Sequence, residues 1–136
     1  MEVADDQRSL TVVDGMRQFN FDACLSPDTT QPEVMIKCGV PRLLDSALHG
    51  YAATIFAYGQ TGSGKTFSMS GREELIERQD WAGGGGDDGI MTRSLAHIFA
   101  AVNRAGAGVK FRVKCTYLEI YNEAIYDLLS GDNERQ

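Results

Sequence analysis

The sequence predicts an α/β fold, and three features predict it. Residues 52–58 (Ala-Ala-Thr-Ile-Phe-Ala-Tyr) form an apolar run without alternation, bounded by glycines. Such a run fits a strand buried on both faces, the usual state in a parallel sheet. On either side of it, apolar residues recur at offsets of three, four and seven, the period of a helix with one buried stripe. Residues 109–117 alternate instead: Val109, Phe111, Val113, Cys115 and Tyr117 on one face, Lys110, Arg112, Lys114 and Thr116 on the other. That is the pattern of a strand with one covered face, and solvation accounts for the basic side.

Length and composition bound the possibilities. The chain has 136 residues, 43% hydrophobic and 24% charged, enough for one globular domain that buries roughly two-thirds of its unfolded surface. These fractions exclude a mainly disordered chain. No apolar stretch approaches a membrane-spanning length, and the acidic start Met-Glu-Val-Ala-Asp-Asp is no secretory signal. With 13 Lys and Arg against 19 Asp and Glu, the net charge is −6, which argues against sequence-independent binding of nucleic acid or anionic membrane. Cys24, Cys38 and Cys115 are odd in number and far apart, so reduced thiols of a cytosolic protein are expected. No cysteine pair has zinc-ligand spacing, and only His49 and His97 could assist, so no structural metal site is expected.

Along the chain, Leu10, Val12 and Val13 form a short strand-like patch, and Asp14-Gly15 reads as a turn. Residues 16–25 alternate, with Phe19 and Phe21 on one face of a strand that enters a loop at Ser26-Pro27-Asp28. Thr29 or Thr30 is suited to cap a helix, and Pro32 to its first turn. Ile36, Val40, Leu43, Leu44, Ala47, Leu48 and Tyr51 make its stripe, with Gly50 just past its end. Pro41 is out of place inside such a helix, which must kink there or be two pieces. Residues 59–66 read as a loop, followed by a short helix to Ser70. The charged, glycine-rich stretch 71–88 reads as a surface insertion, with Trp81 and the glycines 83–86 in it. Asp88 is placed to cap a helix carrying Met91, Leu95, Ile98, Phe99 and Val102, which stops at Gly106-Ala107-Gly108. Beyond the alternating run, residues 119–123 continue extended and 125–129 form a final helical turn.

One motif carries chemistry. Gly59-Gln60-Thr61-Gly62-Ser63-Gly64-Lys65-Thr66 matches G-x-x-x-x-G-K-[ST] in full. The glycines let the loop curl so that backbone N–H groups converge on phosphate oxygens, and the helix that follows adds its dipole. Lys65 supplies a mobile charge for the β- and γ-phosphates, and the Thr66 hydroxyl can ligate Mg²⁺. Chance produces the pattern in roughly 0.5% of chains this long, and a strand before it with a helix after it makes accident rarer still. Hydrolysis needs more: an acidic residue at a strand end and a group that positions water. Glu119, Glu123 and Asp127 are the acidic residues nearest to that description, and none is expected to be catalytic. Tyr58 and Phe67 flank the loop; either offers an aromatic face to a base, and core packing explains Tyr58 equally well.

The segment 54–67, Thr-Ile-Phe-Ala-Tyr-Gly-Gln-Thr-Gly-Ser-Gly-Lys-Thr-Phe, resembles the P-loop region of the kinesin motor domain. The resemblance covers 16–130: Phe19-Asn20-Phe21-Asp22, Thr30-Gln31, Pro41, Gly89-Ile90-Met91 with Arg93, and Tyr117-Leu118-Glu119-Ile120-Tyr121-Asn122-Glu123 all resemble family segments. The last of these makes the resemblance specific to the family. Ala52 replaces the usual Asn, and Met91-Thr92 the usual Ile-Pro.

The resemblance implies a P-loop NTPase fold, a three-layer arrangement of sheet with helices on both faces, partial and lacking several central strands. It implies ATP and Mg²⁺ as cofactors, microtubules (tubulin) as partner, no nucleic acid or membrane partner, and a location in the cytoplasm on the cytoskeleton. It places residues 59–67 at the nucleotide, Phe67 near the adenine, and 71–88 in a variable loop beside that site. The whole chain, 1–136, is then part of a motor domain that couples ATP hydrolysis to movement. The family's Arg-x-Arg-Pro segment, its switch I (Asn-x-x-Ser-Ser-Arg-Ser-His) and its switch II (Asp-x-x-Gly-x-Glu) do not occur in these residues. The chain by itself is therefore expected to be inactive as an ATPase. A non-catalytic ATP-binding module and a truncated, unfolded product are the alternatives; a GTPase would want Asn-Lys-x-Asp, which is absent.

Overall fold

The computed structural model describes residues 2–4, 7–12, 17–72, 85–106 and 108–130, and the chain divides into two units, 1–104 and 105–136. In the first unit, β1 (Glu2–Val3), β2 (Ser9–Thr11) and β3 (Gln18–Asn20) form an antiparallel sheet in that order. Leu10 stands opposite Val3 on one side and Phe19 on the other. Pairing continues past the ladder, since Phe21 N–H donates to the Arg8 carbonyl (2.7 Å) and Cys24 N–H to that of Gln7 (2.6 Å). Phe19 and Phe21 stay half exposed, and Cys24 is buried. The expected Asp14-Gly15 turn lies outside the described residues.

Pro41 divides the next stretch into two helices. Helix α1 (Gln31–Lys37) is capped by Thr30, whose N–H and hydroxyl both donate to the Glu33 carboxylate, at 2.8 and 2.7 Å. Gly39, at φ +70°, ends it and opens α2 (Val40–Leu48). Pro41 thus falls in the first turn, where its missing N–H has no intrahelical acceptor to lose. The break also changes the phase of the apolar stripe. Met35, rather than the expected Ile36, joins Val40 and Leu44 in the core, and Ile36 is exposed. Gly50 ends α2 as expected: its N–H donates to Ala47 (3.0 Å) and that of Tyr51 to Ser46 (3.2 Å), the paired bonds of a Schellman cap.

Helix α3 (Lys65–Ser70) follows the glycine-rich loop, and α4 (Ile90–Arg104) packs on α1, α2 and α3. The core is Met35, Val40, Leu44 and Ile90, with Val34, Ile55 and Ile98 against it. Full burial of a side chain this size contributes roughly 1.5–3 kcal/mol, so these few contacts govern how the helices sit. His97 on α4 adds a polar contact to α2, its Nε2 lying 2.7 Å from Asp45 Oδ1. The expected stripe on α4 holds only in part: Ile98 packs on the core together with Ile90, while Met91, Leu95 and Phe99 stay nearly half exposed. Asp88 is not its cap, since α4 begins after Gly89 and the Asp88 carboxylate instead accepts from Gly85 N–H at 2.9 Å.

Residues 52–58 depart from expectation. Among the described residues no strand pairs with them, Phe56 and Tyr58 are 81% and 94% exposed, and only Ile55 reaches the core. A buried strand is made by neighbours on its edges and cover on its faces, and the described residues supply neither. The alternating run 109–117 likewise carries no ladder among the described residues, although at its end the Tyr117 carbonyl accepts from Leu128 N–H at 2.8 Å. In the second unit, β4 (Leu118–Tyr121) pairs with β5 (Ala124–Asp127) in a hairpin. The expected final helical turn is therefore a strand. The two-residue turn is Asn122-Glu123, both with positive φ (+48° and +62°), the backbone of a type I′ turn.

Candidate functional site

The loop 59–66 has the shape its sequence requires. Gly62 and Gly64 adopt φ +78° and +87°, the left-handed region that other residues enter at a cost. At Gly59 a side chain would collide with Ser63, since an added Cβ would lie 2.5 Å from its Oγ. Ser63 N–H closes a turn onto the Gln60 carbonyl at 3.2 Å, and Ser68 N–H makes the first helical bond of α3, to Gly64, at 2.9 Å. Among the described residues, the N–H groups of Gly62, Gly64, Lys65 and Thr66 have no protein acceptor. Those of Gly59, Gln60 and Thr61 have none either, and unpaired donors along one curled loop are the makings of an anion cradle.

The Lys65 ammonium lies over this loop, donating to the carbonyls of Gly59 (2.9 Å) and Gln60 (2.7 Å). Its charge is thus brought to the same short segment as the free amides. Thr66 and Phe67 are exposed beside it. Tyr58 is almost fully exposed. The three acidic residues weighed above belong to the second unit: Glu119 is in β4, Glu123 in the turn, and Asp127 Oδ1 accepts from Leu129 N–H at 2.9 Å. Among the described residues no group of three His, Cys, Asp or Glu could hold a metal ion.

Two polar side chains, one bonded to α3 and one to the 71–88 segment, carried no signal of their own in residue type or spacing. Gln31, at the start of α1, is 5% exposed and donates through Nε2 to the Phe67 carbonyl at 2.7 Å. Arg93 on α4 donates to the carbonyls of Gly85 (2.6 Å), Gly86 (3.2 Å) and Asp88 (2.8 Å). With a bridge between Gly71 and Asp88 and an ion pair between Arg72 and Asp87 (3.2 Å), it fastens the two ends of the 71–88 segment together. Residues 73–84 of the expected insertion lie outside the described residues.

Comparison with known proteins gives one answer throughout. Residues 2–136 match the family model of the kinesin motor domain. The kinesin-like protein klp-20 of Caenorhabditis elegans is 44% identical over 132 residues, which are 97% of this chain and 19% of that protein. Human kinesin-like protein KIF15 is 43% identical over 119 residues, 85% of this chain and 8% of its own length. Among solved structures, the Drosophila kinesin NOD in complex with AMPPNP aligns with a TM-score of 0.76 at 30% identity, over 96% of this chain and 42% of NOD. NOD docked with bovine tubulin into a map of its nucleotide-free microtubule complex gives the same TM-score at 28% identity, over 100% of this chain and 45% of NOD. The chain therefore spans less than half the length of these relatives, and its fold is that of part of a P-loop α/β motor domain.

Proposed function

The chain belongs to the kinesin motor domain family, and from that premise we propose that residues 59–67 are the ATP site of a microtubule motor. The observation that carries this is the loop itself: amides without an acceptor and the Lys65 ammonium, all on one curled segment. In this role the N–H groups of Gly62, Gly64, Lys65 and Thr66 face phosphate oxygens, and Lys65 exchanges its two carbonyl partners for the β- and γ-phosphates. Gly59, Gln60, Thr61 and Ser63 shape the curl, and the Phe67 ring lies beside the base. The donor set fits a phosphate chain better than a free cation, because the loop has amides, hydroxyls and an ammonium but no carboxylate. Mg²⁺ would arrive with the nucleotide, held on the protein side by the Thr66 hydroxyl, and would neutralise charge between the β- and γ-oxygens. Residues 71–88 are then the variable loop next to the site, and 1–136 one part of the motor domain.

For the whole protein the proposal is an ATP-driven microtubule motor on the cytoskeleton of the cytoplasm. NOD, which this chain resembles, binds the nucleotide analogue AMPPNP and the microtubule. No helix of the described residues is long and apolar enough to cross a membrane. The isolated 136 residues contain neither switch motif, which favours nucleotide binding without turnover for this chain alone. Titration of a fluorescent ATP analogue with Mg²⁺ tests the site: binding is expected in the wild type and lost in Lys65→Ala. Equal binding by both would remove the assignment. A fluorescent tag on the whole protein should mark microtubules and disperse when they are depolymerised.

A further inference from the structure

Helix α3 carries Lys65 and Thr66 but buries none of its own residues, so apolar packing does little to hold it. Its central carbonyl, that of Phe67, instead accepts two hydrogen bonds. One is the cap from Gly71 N–H at 2.9 Å; the other comes from Gln31 Nε2, 36 residues earlier in the chain, at 2.7 Å. Gln31 is 5% exposed, whereas glutamine is ordinarily a surface residue. Its Oε1 is buried without a partner. A side chain that gives up hydration on both polar atoms to make one bond is held there by that bond's geometry. Gln31 is also locked at its base, as the first residue of a helix capped by Thr30 and Glu33 and packed through Met35 into the core.

We propose that Gln31 is a positioning residue for the phosphate-binding loop: it ties the carbonyl next to Lys65 and Thr66 to the rigid start of α1. The proposal rests on the ATP-site reading for its functional consequence. The tether itself is separate from that reading and can be measured without nucleotide. Gln31→Leu keeps the volume and removes the donor. The full chain carrying it should bind the fluorescent ATP analogue about fivefold more weakly, the worth of one such hydrogen bond. Amide hydrogen exchange at Ser68 and Gly71 should quicken, while the α2 cap at Gly50 and Tyr51 should be unchanged.

Gln31→Glu supplies the second arm. At neutral pH its carboxylate opposes the Phe67 carbonyl, so affinity falls as in Gln31→Leu. On acidification the protonated carboxyl can donate, so Gln31→Glu should recover relative to Gln31→Leu, which a merely structural role would not produce. Wild-type exchange at Ser68 and Gly71 in Gln31→Leu would overturn the tether. Should Gln31→Leu fail to fold, the absence of acid recovery in Gln31→Glu would overturn it instead. Faster exchange with no analogue binding even by the wild type would retain the tether and discard the ATP site.

Discussion

Replacing Gly89 by alanine tests how the loop helix is seated. An added Cβ at Gly89 would lie 2.5 Å from the Gly71 nitrogen and 2.5 Å from both the carbonyl carbon and oxygen of Met69. All three are backbone atoms at the end of α3, so no flexible side chain can move aside. Gly89 has no left-handed φ, so alanine meets no conformational penalty and the cost is purely steric. Relief requires either α3 or the start of α4 to shift by about the width of a methyl contact. Over-packing of this kind costs typically 1–3 kcal/mol. With three rigid contacts the upper half applies, about 2 kcal/mol, or roughly 5–10 °C in the midpoint of thermal unfolding. Gly86→Ala is the control, because an added Cβ there meets nothing within 4 Å. Circular dichroism melts of the two variants and the wild type give the comparison. A Gly89→Ala midpoint equal to that of Gly86→Ala would refute the argument that backbone contact at Gly71 and Met69 seats α3 against α4.

Other consequences follow from single residues. Lys65→Ala should abolish binding of the ATP analogue with little change in the melting midpoint, since its ammonium bonds only two loop carbonyls; calorimetric titration alongside a melt checks both. Glu123→Gly should stabilise the β4–β5 hairpin by about 0.5–1 kcal/mol, because Glu123 sits at φ +62° where glycine meets no steric cost, and amide exchange across residues 118–127 should slow accordingly. The Thr30 N–H and hydroxyl, with a smaller contribution from Lys37, hold the Glu33 carboxyl below its usual 4.5. The folded value is depressed, so its stabilisation is complete above 4.5 and is lost as pH falls through the lowered value. The stability difference between wild type and Glu33→Gln should accordingly shrink only below pH 4.5, as read by urea unfolding across pH. The 136-residue chain alone should show no microtubule-stimulated ATP turnover in a phosphate-release assay, and turnover that vanishes in Lys65→Ala would contradict this.

What the sequence made legible was whatever depends on a few consecutive residues. Gly50 as a helix terminator, Thr30 as a cap and the curl of 59–66 each follow from the backbone demands of one to eight positions. Pro41 was informative because it offered two outcomes, and Gly39, two residues earlier, selects between them: a left-handed glycine starts a second helix and makes the proline a first-turn residue. A single stripe drawn across the break was misplaced, since a helix restarted at residue 40 owes nothing to the phase of Ile36. The hairpin of β5 was hidden for a related reason. Asn-Glu is a weak signal for a type I′ turn, so Ile125 to Leu129 looked helical by its apolar spacing.

The strands expected at 52–58 and 109–117 show where local pattern stops being sufficient. Apolar content and alternation describe the surroundings a segment is built for, but a ladder exists only where a second strand offers its N–H and C=O groups. Among the described residues none does so for Phe56 or Tyr58, and both side chains face water. Gln31 marks the same limit at the site: its role depends on a carbonyl 36 residues away, and its own neighbours identify it only as the first residue of a helix. The loop chemistry is therefore written in eight consecutive residues, while the position of that loop is set by contacts from α1 and α4. A substitution at Gln31 or Gly89 should accordingly alter nucleotide affinity while leaving every residue of 59–66 in place.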